Sequence, residues 1–400
     1  MTGVVVIGAG QAGASLVAKL RSEGYDGPIT LIGEEPVPPY QRPPLSKKYL
    51  LGDMALERLY LRPESYYAEA GIDLRLNARV TAIDRAAQEV VIGTERLGYA
   101  HLVLATGSRP RHLPAAIGGE LGGVHVVRTL ADVDAMAPGF VPGARVLIVG
   151  GGYIGLEAAA VAASRGMQVV LVEMAPRILQ RVAAKETSDY FRALHGRHGV
   201  DIREGVGLER LLGDGQVSGA RLTDGTEVAV DMVIVGVGIV PDTALAEAAG
   251  LAIDNGIAVD AQGRTSDPTI WAVGDCASFP HGEGRLRLES VPNAIDMADC
   301  VAGNILGAAV AYVPKPWFWS DQYDVKLQIA GLSTGYDRIV TRDGAASVSF
   351  WYFRGDQLLA VDAMNDPRAY MVGKRLIDAG KTADPAVVAD AAADLKVLLG

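Results

Sequence analysis

Apolar residues in this chain come in short runs that end on glycine, and the pattern begins at once. Val4-Val5-Val6-Ile7 is a β-branched run of strand length, and Gly8-Ala9-Gly10-Gln11-Ala12-Gly13 follows it. A helix-like segment runs from Ala14 to Glu23, a second strand-like run covers Ile29 to Ile32, and Glu34-Glu35 comes next. Strand, glycine turn, helix, strand and acid in this order and spacing describe a dinucleotide-binding unit. In such a unit Gly8 permits the tight turn, Gly10 lets the backbone approach a pyrophosphate, and Gly13 lets the helix pack close to the sheet. The helix start presents free N–H groups and a positive dipole end to phosphate. Glu34, with Glu35 as second choice, is the acceptor for ribose hydroxyls.

The same unit recurs. Val146 to Val149 reads as a strand, Gly150-Gly151-Gly152-Tyr153-Ile154-Gly155 as the turn, Leu156 to Arg165 as the helix, and Val169 to Val172 as the second strand, ending at Glu173. Two such fingerprints in one chain imply two bound dinucleotides. A carboxylate at Glu173 suits both ribose hydroxyls of NAD and repels the extra phosphate of NADP, so the second unit is expected to prefer NADH. Arg177, four residues on, weakens this argument slightly, and the plain alternative for Glu173 is a solvated strand end. Buried strands ending in small residues, Leu102-Val103-Leu104-Ala105-Thr106-Gly107 and Met232-Val233-Ile234-Val235-Gly236-Val237-Gly238, read as the closing strands of the two units. A third such signal is Thr269-Ile270-Trp271-Ala272-Val273-Gly274-Asp275, followed by a helix-like stretch near Val291. Asp275 suits a ribityl hydroxyl or a phosphate-bound water; taken alone it reads as a helix cap.

Composition narrows the class. The chain has 400 residues, enough for two or three domains. Its net charge of −10 argues against nucleic acid as main partner. No apolar stretch reaches the ~18 residues needed to span a bilayer, and the N-terminus does not read as a signal peptide. Cys276 and Cys300 are the two cysteines, too few for a disulfide framework or a four-cysteine metal site. The expected location is the cytoplasm, with no metal site. The sequence leaves the oligomeric state open between monomer and dimer.

The paired fingerprints, Ala105-Thr106-Gly107 and Ala272-Val273-Gly274-Asp275 together resemble FAD-dependent pyridine nucleotide oxidoreductases of the glutathione-reductase fold. Within that fold, Arg42-Pro43-Pro44-Leu45-Ser46-Lys47, Glu289-Ser290-Val291-Pro292-Asn293-Ala294 and Pro316-Trp317-Phe318-Trp319-Ser320-Asp321-Gln322 resemble the ferredoxin reductases that serve bacterial dioxygenases and haem-thiolate monooxygenases. The resemblance implies an α/β protein with two Rossmann-like domains, for FAD and NAD, and a C-terminal α+β domain. It divides the chain into an FAD domain at 1–112 and 237–315, an NADH domain at 113–236 and a C-terminal domain at 316–400.

The resemblance also implies site residues. For FAD these are Gly8, Gly10, Ala12, Gly13, Glu34, Arg42, Lys47, Val80, Ala105, Thr106, Gly107, Arg128, Asp275, Glu289, Val291 and Trp319. For NAD they are Gly150, Gly152, Tyr153, Ile154, Gly155, Glu173 and Gly238. Val80 is expected to act through its backbone, and Arg128 has a surface ion pair as its plain alternative. Lys47 is implied near the flavin, where its charge stabilises the reduced ring; without its context it reads as an exposed lysine at a helix start. Glu157 is implied to face inward, pair with Lys47 and orient nicotinamide and flavin; its alternative is a surface glutamate on a helix. Trp317 and Trp319 are implied at the flavin rim or a partner surface, or as plain core. Cys276 reads as a small packing residue. No cysteine precedes Cys276, which argues against disulfide-reductase and cysteine-peroxidase chemistry.

The implied activity is electron transfer from NADH through FAD to a [2Fe–2S] ferredoxin in a transient complex. A departure from the resemblance is Asp296-Met297-Ala298-Asp299, where relatives tend to carry a basic residue on the docking side. Lys315, Lys326 and Arg287 are the replacement candidates for docking. Alternatives are a rubredoxin or monodehydroascorbate reductase, or an NADH-binding flavoprotein of the apoptosis-inducing-factor type.

Overall fold

Strands buried on both faces lose the polar–apolar alternation of half-exposed ones, and the first strand, Gly3–Ile7, is buried along its whole length. The computed structural model describes residues 2–400 and divides into two compact units. The first comprises the chain up to Arg42, Ala55–Arg109 and Ile239–Pro316; the second comprises Pro43–Met54, Pro110–Gly238 and Trp317–Gly400.

In the first unit, parallel strands lie in the order Ile72–Arg75, Ile29–Ile32, Gly3–Ile7, Glu95–Leu104 and Ile270–Ala272. Val5 pairs with Thr30 on one side and with Leu102 on the other. The long strand Glu95–Leu104 does double service. Its first half continues an antiparallel meander with Glu89–Ile92 and Val80–Asp84, in which Val90 opposes Leu97. Helix Gln11–Ser22 packs against helix Val291–Ile305. Small buried side chains line both, Ala14 and Ala18 on one and Ala294, Ala298 and Ala302 on the other, so the axes can approach closely. Leu16, Val17 and Leu20 seal the same helix onto the core, at roughly 1.5–3 kcal/mol for each large side chain buried.

The second unit repeats the theme with parallel strands in the order Asp201–Glu204, Gln168–Glu173, Arg145–Val149, Met232–Val235 and Val124–His125. Helix Tyr153–Ser164 follows the glycine turn, and a three-stranded antiparallel sheet spans Leu208–Ala229. The C-terminal residues form a five-stranded antiparallel sheet in the order Trp317–Gln322, Val325–Gly331, Gln357–Met364, Val348–Arg354 and Arg338–Asp343. Helix Pro367–Asp378, capped by Asp366, covers the face formed by Trp351, Val361 and Phe353.

Both turn-following helices start earlier than the apolar pattern predicts, at Gln11 rather than Ala14 and at Tyr153 rather than Leu156. The glycines of a first helical turn look like loop to a pattern that counts apolar residues. Ala105-Thr106-Gly107 likewise lies beyond the strand, which ends at Leu104. Among the described residues no helix is long and apolar enough to cross a membrane.

Candidate functional site

The first turn is built so that only glycine serves. Gly8 has φ +112°, and a Cβ there would lie 2.1 Å from the Ala105 carbonyl oxygen. A Cβ on Gly13 would lie 2.0 Å from the Gly8 carbonyl oxygen. A Cβ on Gly10, by contrast, would meet nothing within 4 Å. Gly10 is the N-cap of its helix and supplies no side-chain cap, and the first turn carries no acid. The N–H groups of that turn are therefore not claimed by a side-chain cap, and the helix dipole stands behind them.

Other predicted residues converge on this turn. Gly274, at φ +75°, places its Cβ position 3.1 Å from the Cβ of Ala12, so the Val273–Cys276 turn abuts the helix start. Asp275 is not a helix cap: it sits within a short 3-10 turn and accepts from the Ser108 hydroxyl at 2.9 Å. Thr106 donates to the Asp242 carbonyl at 2.6 Å, holding the segment after Ala105. Glu34 is half exposed, with Arg79 at 3.3 Å and Arg109 at 3.5 Å. Glu35 instead takes Arg42 and the Tyr40 hydroxyl, each at 2.6 Å. Val80 begins its strand with its side chain buried. Glu289 pairs with Arg287 at 2.5 Å, and Val291 opens a helix whose N-cap, Ser290, accepts from Asn293.

The second turn has the same construction. Gly150 has φ +107° and its Cβ would lie 2.4 Å from the Gly236 carbonyl oxygen; a Cβ on Gly155 would lie 2.1 Å from the Gly150 carbonyl oxygen. Gly152 has open space around its Cβ position and caps its helix without a side chain. The helices starting at Leu130, Val291 and Pro367, in contrast, carry Thr, Ser and Asp caps. Glu173 accepts from Gly151 N–H and Ala175 N–H, both at 2.8 Å, which holds its carboxylate at the strand end beside the turn. Arg177 is no rival for that place: its guanidinium donates to the Ser188 hydroxyl at 2.5 Å and to the Ala183 carbonyl at 2.8 Å. Gly238 has φ +98° and its carbonyl accepts from Arg111 N–H. Ile154 is exposed, while Tyr153 is half-buried, its ring 4.9 Å from Phe318 and its hydroxyl oxygen buried without a hydrogen-bond partner.

Lys47 and Glu157, both in the second unit, form an ion pair at 2.8 Å, with side-chain exposures of 15% and 3%. The surface-glutamate alternative for Glu157 is therefore out, as is the exposed-lysine alternative for Lys47. Glu157 also accepts from the hydroxyls of Ser46 and Ser320, each at 2.7 Å. A carboxylate taken from water needs this many donors to offset its desolvation. Neither serine was singled out from sequence. A signal existed at Ser320 and Gln322, polar residues two apart, because that spacing puts both on one face of a strand. That face is the buried one.

The remaining candidates scatter. Arg128 donates its backbone N–H to Asp132, within the capping box of helix Leu130–Met136. Trp319 is partly buried, 5.5 Å from Trp317, and Trp317 packs on the C-terminal core. Arg287 is not a free docking cation: it is 11% exposed and held by Glu289 and by the Asp275 carbonyl. Lys315 and Lys326 are exposed. Cys276 is fully buried against the Leu104 and Val273 carbonyls, and neither cysteine forms a disulfide.

Two parallel-stranded layers, each with an uncapped glycine turn at a helix start, define a class of oxidoreductases that bind two dinucleotides. A family model described as pyridine nucleotide-disulphide oxidoreductase matches residues 2–298, and one described as reductase C-terminal matches residues 317–399. The chain belongs to the pyridine nucleotide-disulphide oxidoreductase family. It is 42% identical to rhodocoxin reductase of Rhodococcus erythropolis, over 99% of this chain and 94% of that protein. It is likewise 42% identical to putidaredoxin reductase of Pseudomonas putida, over 99% of this chain and 96% of that one. Among solved structures, the covalent putidaredoxin reductase–putidaredoxin complex matches with TM-score 0.95 and 41% identity, covering 100% of this chain and 98% of that chain.

Both turns fit the dinucleotides that this family implies, because each leaves the N–H groups of a helix start unclaimed beside glycines with room for phosphate.

Proposed function

We propose that this protein is an NADH-dependent ferredoxin reductase, with FAD on the first glycine turn and NADH on the second. The observation that carries the proposal is the duplicated, uncapped glycine turn in a chain whose two cysteines are unpaired and whose Cys276 is sealed in the core. The sealed Cys276 and the absence of any earlier cysteine argue against a cysteine-based acceptor and for an external electron carrier. The relatives named for rhodocoxin and putidaredoxin support a small [2Fe–2S] ferredoxin as that carrier.

FAD, when bound, supplies acceptance of a hydride and release of single electrons. The chain's own residues do the rest. Gly10, Ala12 and Gly13 take one pyrophosphate on backbone N–H groups, with Gly8 making the turn, Ala105, Thr106, Gly107 and Asp275 closing it and Glu34 and Arg42 at its rim. Gly152 and Gly155 take the other, with Gly150 making the turn. Glu173 accepts from ribose hydroxyls and repels a 2′-phosphate. Lys47 brings a positive charge that favours electron density on the flavin ring, and Glu157 holds that ammonium and orients the nicotinamide. Oxygenase systems supply the supporting context, since the relatives include the reductase components of anthranilate and p-cumate dioxygenase systems. The division into FAD, NADH and C-terminal domains at 1–112 with 237–315, 113–236 and 316–400 belongs to the same proposal, as does a cytoplasmic location, which two free thiols support.

The test is anaerobic titration of the purified flavoprotein with NADH and with NADPH, followed by reduction of a [2Fe–2S] ferredoxin. Bleaching by NADH in preference to NADPH and ferredoxin turnover are expected. A yellow protein that neither nucleotide bleaches overturns the proposal.

A further inference from the structure

His195 is fully buried, titratable, and outside every role described so far. Its Nε2 lies 2.8 Å from Gln322 Oε1 and its Nδ1 lies 3.2 Å from the Tyr323 hydroxyl. Gln322 Nε2 lies 3.2 Å from Ser320 Oγ, and Ser320 Oγ lies 2.7 Å from Glu157 Oε1. Glu157 Oε2 in turn receives Lys47 Nζ at 2.8 Å. Every member belongs to the second unit. The chain thus runs unbroken from Tyr323 to Lys47.

Its polarity follows from chemistry. A carboxylate only accepts, so Ser320 spends its single hydroxyl hydrogen on Glu157. Ser320 must then accept from Gln322, which turns the amide nitrogen to Ser320 and the amide oxygen to His195. An amide oxygen only accepts, so His195 carries its proton on Nε2. Nδ1 is left as an acceptor and takes the Tyr323 hydrogen. Burial, the largest influence on the imidazole, keeps it neutral by lowering it to about 4, as the chain requires. His198 stacks on the Tyr323 ring at 3.6 Å and 6° and fixes its direction.

We propose that Tyr323–His195–Gln322–Ser320 is a positioning chain, with His195 as the neutral Nε2–H tautomer, that aims a donor at Glu157 Oε1 and so leaves Oε2 turned to Lys47. Without that donor, Glu157 keeps only Ser46 and Lys47, both on Oε2, so its carboxylate can turn about them and the place of Lys47 loosens. The inference rests on the proposed role of the Lys47–Glu157 pair only for its kinetic consequence. The positioning itself has a separate readout.

The test uses the FAD-loaded protein and three variants: Ser320→Ala and His195→Leu, which break the chain, and His195→Gln, whose side-chain amide still donates to Gln322. Reactivity of Lys47 toward an acylating reagent is followed by peptide mass spectrometry without NADH. The rate of flavin reduction at saturating NADH and the dissociation constant for NADH are measured separately. Ser320→Ala and His195→Leu are expected to raise Lys47 acylation several-fold and slow reduction about tenfold, the equivalent of one lost hydrogen bond. The NADH dissociation constant stays within about twofold, and His195→Gln restores both readouts. Should His195→Leu fail to fold, Ser320→Ala, which removes one hydroxyl, carries the test. Unchanged Lys47 acylation in Ser320→Ala overturns the proposal. If acylation rises but neither Ser320→Ala nor Glu157→Gln slows reduction, the positioning chain stands and the role assigned to the ion pair fails.

Discussion

Glu173 accepts from two backbone N–H groups, and a ribose bound as proposed would compete for the same oxygens. In the proposed function its charge is what favours NADH over NADPH. Glu173→Gln is expected to weaken NADH binding about 10- to 100-fold, the range for a hydrogen bond to a charged group, and to narrow the preference over NADPH. Equal loss for both nucleotides, by titration of flavin bleaching, would show that Glu173 only braces the turn. Two buried residues pull the pH response in opposite directions. Burial pushes the Asp362 carboxyl up to about 6 despite bonds from Tyr352 and Thr187. Its contribution to stability is full below the unfolded value near 3.9 and is lost as pH rises through about 6. His195 runs the other way: its contribution is full above the unfolded value near 6.5 and is lost as pH falls through about 4. Each shift corresponds to about 3 kcal/mol, so they nearly cancel between pH ~4 and ~6. Asp362→Asn is expected to uncover a stability that climbs with pH across that window, measured by urea unfolding. A flat profile in that variant would mean that His195 does not titrate as argued.

At the scale of elements, the two glycine turns separate folding from binding. Gly10 has φ −93° and Gly152 φ −81°, both open to any residue, and their Cβ positions are unobstructed. Gly10→Ala and Gly152→Ala are therefore expected to fold with melting temperatures close to the parent and to lose FAD and NADH affinity respectively, because a methyl group occupies the phosphate's place. Gly13→Ala and Gly155→Ala drive a methyl into backbone oxygen at 2.0 and 2.1 Å, so they are expected to destabilise by the 1–3 kcal/mol typical of overpacking. Thermal melts with cofactor-content measurements decide this. Similar losses in all four would remove the distinction. The turns were legible in the sequence because glycine, β-branched runs and a following acid are local signals. The helix starts were not, because the first helical turn shares its glycines with the loop.

For the whole molecule, the net charge of −10 makes any attraction to an acidic carrier a matter of local cations. With Arg287 held by Glu289, Lys315 and Lys326 remain of the three docking candidates. Lys315→Glu and Lys326→Glu are expected to raise the Michaelis constant for ferredoxin and leave ferricyanide reduction by NADH unchanged, with the effect shrinking at high salt as for any exposed charge. Steady-state kinetics with both acceptors checks this, and identical ferredoxin constants would place docking elsewhere.

Much of this protein was written in short stretches of chain. Doubled strand–glycine–helix–strand patterns pointed to two dinucleotide units, Glu173 to an expected NADH preference, and the absence of an early cysteine argued against disulfide chemistry. Each depends on neighbours within about thirty residues, so composition and spacing suffice. The Lys47–Glu157 pair needed a family resemblance to be suspected, since 110 positions separate its members. Only the tertiary structure could add Ser46, Ser320, Gln322 and His195 to it. A buried carboxylate draws its donors from wherever the packed chain brings them, and a lone serine or histidine carries no periodic mark of the partner it will meet.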